Sequence, residues 1–259
     1  MLRPIAALAL LSVCMLLSDC GGGPYQIAGG GGSAGSNSPG GIWRGTDPVS
    51  SLAIKGLIDE SGQFNLIRND GGQYVGTAVT NGTTFTGSFD GYMPLGQTFP
   101  DGSHHGHGTL TGTVQQRVSI SVTMQFTTDL GTTASGTLTL AFDSSYNLES
   151  ALATVAGNYT DPTSGDVFSI TSSGAVTWQD PNTGCVGNGT IAVINAAYNI
   201  YQFNFDLASC TGTSAAYNGG QFTGLATLDK AVTPDQLSAG ATGTANGVTY
   251  SLTFALNLT

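Results

Sequence analysis

Three histidines lie within four positions, in Pro100-Asp101-Gly102-Ser103-His104-His105-Gly106-His107-Gly108, and they are all the histidine the chain has. Neutral imidazoles at this spacing could hold Zn²⁺, Cu²⁺ or Ni²⁺, with Asp101 as an oxygen donor. In an extended segment His105 and His107 share one face and His104 points to the other. The same glycine-bracketed stretch also reads as a solvated loop between two strands, because a short His-rich tract is a compositional hint rather than a coordination geometry. A catalytic triad would have to take its base from these histidines, and no serine sits on a strand-to-helix turn that would present a nucleophile. The 14 aspartates fall mostly in turn settings such as Asp47-Pro48, Asp161-Pro162 and Asp180-Pro181, where they cap turns, and only Glu60 and Glu149 offer a longer arm. No residue is nominated as catalytic, and a non-enzymatic protein is expected.

The four cysteines divide into two pairs of different meaning. Cys185 and Cys210 sit almost symmetrically about a turn near Ala196-Ala197-Tyr198, and in an oxidising compartment a single such pair is most simply a disulfide. It would fasten the open end of one hairpin. Closing a loop of ~26 residues should stabilise the fold by roughly 3–4 kcal/mol on the chain-entropy model. Without a Cys-x-x-Cys, a redox or metal role has no support. Cys20 differs: it closes an apolar run from Ile5 to Leu17 that follows a single cation, Arg3, and it precedes Gly21-Gly22-Gly23. The run is shorter than the roughly 20 apolar residues of a membrane-spanning helix, so residues 1–20 read as a secretory signal.

The end of that signal resembles the lipobox of bacterial lipoproteins, with Leu17 three positions before Cys20 and Ser18 between them. Asp19 stands where the family usually has Gly, Ala or Ser. The resemblance implies a signal peptide over 1–19, a covalent lipid on Cys20 and, with Gly21 next, release to the outer membrane on its periplasmic face or at the cell surface. If Asp19 prevents lipidation, the protein is secreted instead. Residues 20–41, rich in Gly, Ser, Asn and Pro, are a flexible tether that would place the folded part on the order of 25 Å from the lipid. The glycines at 30–35 match a dinucleotide fingerprint and a nucleophile elbow by chance, since neither match follows a strand or opens a helix.

Composition bounds the partners. A formal charge of −10 with only six Lys and Arg leaves no basic patch for phosphates, which excludes nucleic acid and makes the lipid the only membrane contact. No pattern fixes an oligomeric state.

The elements that must carry these residues are strands. Val118, Ile120, Val122, Met124 and Phe126 alternate with polar residues, as do Tyr201, Phe203, Phe205 and Leu207, a period of two with one buried face. Residues 147–155 are the one stretch that could form a turn or two of helix. Asn81-Gly82 suits a type I′ hairpin, which would pair Ala78 with Phe85, Gly76 with Gly87 and Tyr74 with Phe89. Large and small residues alternating on one face suit the taper of a small closed barrel. The region is also duplicated. Gly41-Ile42-Trp43 opens one half and Gly157-Asn158-Tyr159 the other, and similar turn and hairpin segments follow each. We expect an all-β protein with two tandem antiparallel up-and-down barrels, at 42–145 and at 150–259. The Gly-x-Trp and Gly-x-Tyr openings and the strand rhythm resemble the calycin plan, seen in lipocalins and in bacterial surface lipoproteins such as transferrin-binding proteins.

The leading expectation is a module that binds a small apolar ligand or an envelope protein through barrel mouths or loops, with Tyr92, Trp178 and Tyr217, which sit near turns, as contacts. The alternatives are a structural lipoprotein of the outer membrane and a metal-binding protein acting through His104–His107. A cavity inside a barrel favours the ligand reading, and packed interiors favour assembly. No cofactor is expected beyond the lipid and, in the metal reading, a divalent transition ion.

Overall fold

The computed structural model describes residues 37–259. The expected signal, Cys20 and most of the tether lie outside the described residues. Eight strands form a first closed barrel: β1 (Gly41–Thr46), β2 (Ala53–Ile58), β3 (Gln63–Arg68), β4 (Gln73–Asn81), β5 (Thr84–Tyr92), β6 (His105–Gln115), β7 (Ser119–Thr128) and β8 (Thr133–Asp143). Eight more form a second: β9 (Gly157–Thr160), β10 (Val167–Ile170), β11 (Ala175–Gln179), β12 (Val186–Val193), β13 (Tyr201–Ala208), β14 (Gln221–Asp229), β15 (Gln236–Ala245) and β16 (Val248–Leu258). Each is an antiparallel meander in which the first strand also pairs with the last, so no edge remains open. The two-barrel expectation is met, and the linker carries the short helix α1 (Leu152–Val155) after a 3₁₀ turn at Ser144–Asn147.

The period-two pattern explains each wall. Along β7, Ile120, Val122, Met124 and Phe126 are buried while the residues between them face out. Eight strands leave an interior just wide enough for side chains to fill, and here large rings lie across glycines on neighbouring strands. A Cβ at Gly108 would strike the Phe89 ring, and one at Gly106 or Gly91 the Phe126 ring. A void lined by Phe64, Phe85, Leu110 and Leu138 inside the first barrel measures about 10 Å³, at the lower limit for one water. The second barrel packs Phe168, Trp178, Phe203, Phe205 and Phe254 against one another. Both barrels are therefore solid.

The register of the β4–β5 hairpin differs from the sequence expectation by one residue on each strand. Ala78 pairs with Gly87, Gly76 with Phe89 and Tyr74 with Gly91, while Asn81 pairs with Thr84. The loop is Gly82-Thr83, with positive φ (60°) at Gly82 alone, which is the glycine-first pattern of a type II′ turn rather than a type I′. Asn81 gains a rung of ladder by joining the strand. The faces survive the shift, because moving both strands by one residue keeps Tyr74, Phe85 and Phe89 inside.

One end of each barrel is closed in the same way. Trp43 Nε1 donates to Pro39 O (3.1 Å) and Tyr159 OH donates to Val155 O (2.9 Å), each reaching back four residues. Away from the partner barrel, the outer wall is hydroxyl rather than charge: Thr86, Thr111, Thr123 and Thr137 line up across β5 to β8. Cys185 and Cys210 form a disulfide just beyond the last β12–β13 pair, Val186 with Ala208.

The barrels dock through outward residues of β1–β4. Ile42 and Leu57 pack with Ile200 and Leu225 of the second barrel, beside Tyr146 from the linker. Two buried amides add direction. Gln73 Nε2 donates to Ser251 Oγ (2.6 Å), Leu252 O (2.9 Å) and Ala241 O (3.2 Å), while Asn65 Nδ2 donates to Gly240 O (3.1 Å). A Cβ at Gly240 would run into the Gln73 amide and Ile67, so only glycine admits this approach.

The chain's two tryptophans fall one to a barrel, Trp43 and Trp178, so single-tryptophan variants report each unit separately. In denaturant, Trp43→Phe and Trp178→Phe proteins should unfold with coincident midpoints. Adding Gln73→Ala should cost about 2 kcal/mol through unsatisfied buried groups and separate the two transitions. Coincident, unshifted transitions would mean that the amide contributes nothing to docking. Removing the disulfide with Cys185→Ala and Cys210→Ala should cost about 3 kcal/mol and, while docking holds the barrels together, move both transitions, whereas in the Gln73→Ala background it should move the Trp178 transition alone.

Candidate functional site

The site begins with a local conflict of charge. Arg44 on β1 and Lys55 on β2 are direct cross-strand partners and both face outward. Like charges in that position destabilise a sheet unless something offsets them. For Arg44 the offset is present: Nε meets Asp143 Oδ2 at 2.5 Å, and Nη2 meets Asp229 Oδ2 of the second barrel at 3.3 Å. Lys55 makes one contact, donating to Ser238 Oγ of β15 at 2.8 Å. Burial lowers the Lys55 pKa, and the charge of Arg44 lowers it further against the pull of Asp229 and Asp143.

Arg68 ends β3 nearby, with its guanidinium almost wholly buried at the rim of the first barrel. Nη2 meets Asp70 Oδ2 at 2.5 Å and Nη1 lies 3.6 Å from Asp47 Oδ2. Tyr74 OH donates to the same Asp47 oxygen at 3.0 Å, and burial together with Asp47 raises the phenol above its ordinary pKa. This cluster is internally satisfied.

The three cations lie along one wall of a cleft of about 490 Å³ between the barrels. Arg44, Lys55 and Arg68 supply its first-barrel side, along with Ile54 and Ile67. Asp161, Gln236, Ser238 and Phe254 supply the other. A concave, partly apolar space with a few convergent polar groups has the general form of a small-molecule site.

The histidines are placed differently. His105 and His107 do face one side of β6, as strand spacing predicts, with His104 just before the strand. His104 and His107 are exposed, whereas His105 is held between two carboxylates, Nδ1 2.9 Å from Asp129 and Nε2 3.3 Å from Asp90. Asp101 is spent locally, accepting from Ser103 N at 3.0 Å and from the Thr128 hydroxyl. Among the described residues, no three of His, Cys, Asp or Glu converge to hold a metal ion. Tyr92 stacks near His105, and both line a groove of about 480 Å³ that also meets Val248 and Thr249 of the second barrel. Trp178 and Tyr217 are only 4% and 8% exposed and belong to the second core, which removes them as ligand contacts.

No protein-family model, curated protein or solved structure matches the chain. The site therefore rests on its own geometry.

Sequence reasoning missed Arg44, Lys55 and Arg68. One local signal was present: Lys55 interrupts the apolar strand Ala53-Ile54-Lys55-Gly56-Leu57-Ile58, which puts an ammonium on a face that Leu57 marks as covered.

A further acidic pair lies in the loops beside Asp161. Burial pushes the Asp166 carboxyl from 3.8 up to about 6, with the charge of Asp180 adding to it. Because the folded pKa is the higher one, Asp166 favours folding fully below pH ~4, and that contribution is lost as pH rises through about 6. Asp166→Asn should thus be more stable than the parent above pH 7, by about 1 kcal/mol after allowing for partial exposure, and equal to it near pH 4. Melting curves across that range test this, and a pH-independent difference would remove the titration as its cause.

Proposed function

We propose that this is a lipid-anchored protein of the bacterial envelope, non-enzymatic, that binds a small ligand in the cleft between its two barrels. The observation that carries the reading is the contrast between solid barrels and an open cleft. A void inside the first barrel measures about 10 Å³, while the space between the barrels measures about 490 Å³. Binding in the manner of a lipocalin, inside the barrel, has no room here. The loops and strand faces that meet at the cleft take over that role.

The lipobox-like Leu17-Ser18-Asp19-Cys20 supports the anchor, and the tether would hold the cleft clear of the membrane. Metal binding through His104, His105 and His107 is not adopted. Both nitrogens of His105 face carboxylates, and the other two rings stand apart in solvent.

Two measurements test the proposal. The intact mass of membrane-extracted protein should carry a lipid-sized excess that Cys20→Ala abolishes, and a bare chain cut elsewhere would make the protein a secreted one. Separately, a library of small polar and amphipathic compounds should yield binders whose NMR shift changes map to β2, β3 and β15. Binders that map only to the Tyr92–His105 groove, or to no single place, would refute the cleft as the site.

A further inference from the structure

We infer that the inter-barrel cleft seats its ligand by a compact anionic group, a carboxylate or a phosphate, held on the ammonium of Lys55. This rests on the reading of the cleft as the ligand site and names the chemistry it takes.

The argument is one of unspent donors. Of the three cations along the cleft, Lys55 is partly and Arg68 largely withdrawn from water, where a charge needs partners. Arg44 has Asp143 and Asp229, and Arg68 has Asp70 and Asp47. Among the described residues, Lys55 has no carboxylate within 4.0 Å. An ammonium offers three donors, and Ser238 Oγ takes one of them. Two remain, on a group that lines the cleft.

The arrangement also runs against the chain as a whole. A protein with a formal charge of −10 and six Lys and Arg in total lines one cleft with three of them. The carboxylates that compensate Arg44 and Arg68 are not among the lining residues, so a ligand entering the cleft meets the cations first. An anion between Arg44 and Lys55 would relieve their cross-strand repulsion, which gives its binding a favourable term that a neutral ligand lacks.

The rest of the lining sets size and body. Ile67, the cross-strand partner of Lys55, offers apolar contact beside it. On the opposite wall Asp161 uses Oδ1 to accept from Thr163 N (2.7 Å) and Ser164 N (3.0 Å), and no cation pairs with it among the described residues. A second negative charge at that end would be repelled. The fitting ligand carries its anionic group at one end of a short apolar body.

The test uses full-length protein and three probes: inorganic phosphate, butyrate, and butyramide as the neutral analogue of butyrate. Phosphate or butyrate should shift the resonances of residues 53–67 and of Ser238 saturably, and raising KCl from about 50 to about 500 mM should weaken this several-fold. Saturation by phosphate alone assigns a phosphate group, and saturation by butyrate alone a carboxylate. Lys55→Met should weaken binding at least tenfold and Lys55→Arg should restore most of it, with Trp43 and Trp178 fluorescence reporting that each variant is folded. Ser238→Ala keeps the ammonium and frees its third donor, so it should bind at least as well as the parent. If butyramide binds the cleft as tightly as butyrate and Lys55→Met changes neither, the anionic class is wrong while the cleft stands as a site. If no probe moves the cleft resonances, the anion inference falls, and the compound library decides the cleft independently.

Discussion

Two buried side-chain amides set the position of everything that could be functional in this molecule. A closed barrel has no free strand edge, because its backbone donors and acceptors are consumed in its own ladder. Two such barrels recognise each other largely by apolar contact and by side chains, some of which reach carbonyl oxygens with a lone pair to spare. Gln73 and Asn65 do this toward Gly240, Ala241 and Leu252. Apolar packing around Leu57 and Leu225 supplies adhesion without direction, whereas the amides fix the angle and slide of one barrel on the other. The width of the cleft, the reach from Lys55 to Ser238 and the bridge from Arg44 to Asp229 all follow from that placement.

The solidity of the barrels has an equally local origin. Aromatic rings occupy the interior only because the strand facing them presents hydrogen instead of a side chain, as Phe89 does over Gly108. Glycine is a poor strand residue on propensity grounds, yet here it makes room for a ring that buries far more apolar surface than a second aliphatic residue could. The abundance of glycine and the smallness of the internal void are one fact seen at two levels.

How much of this the sequence carried depends on whether the information was local. Strand alternation in β7 and β13, the paired openings at Trp43 and Tyr159, and the disulfide were all legible, because each is a pattern within a few dozen residues or a pairing with a single solution. The hairpin register was not. Asn81-Gly82 satisfies one turn type by composition, and the choice of Gly82-Thr83 is settled by an added rung at Asn81 and Thr84 together with the packing of β5 on β6. The site was least legible. Arg44, Lys55 and Arg68 are separated by 11 and 13 positions and share no motif; Arg44 and Lys55 lie on a face that ordinarily meets water, and Arg68 stands at the inner rim of the barrel. Nothing in one barrel's pattern says which part of its outer wall the other will cover, so the histidine tract, dense and conspicuous, drew the attention that a lone lysine did not.

The plug beneath the first barrel bears on mechanics. Pro39 receives the Trp43 indole, and Ser38 Oγ donates to Glu60, whose other oxygen accepts from Tyr146 of the linker between barrels. The entering chain is thus clasped to the barrel floor and to the junction before the first rung of β1 begins. A pull arriving from the N-terminal side would load this clasp first, and would spread through Tyr146 to both barrels instead of peeling β1 from its neighbours one hydrogen bond at a time. A protein held from that end would keep its cleft intact under drag until the clasp gave way.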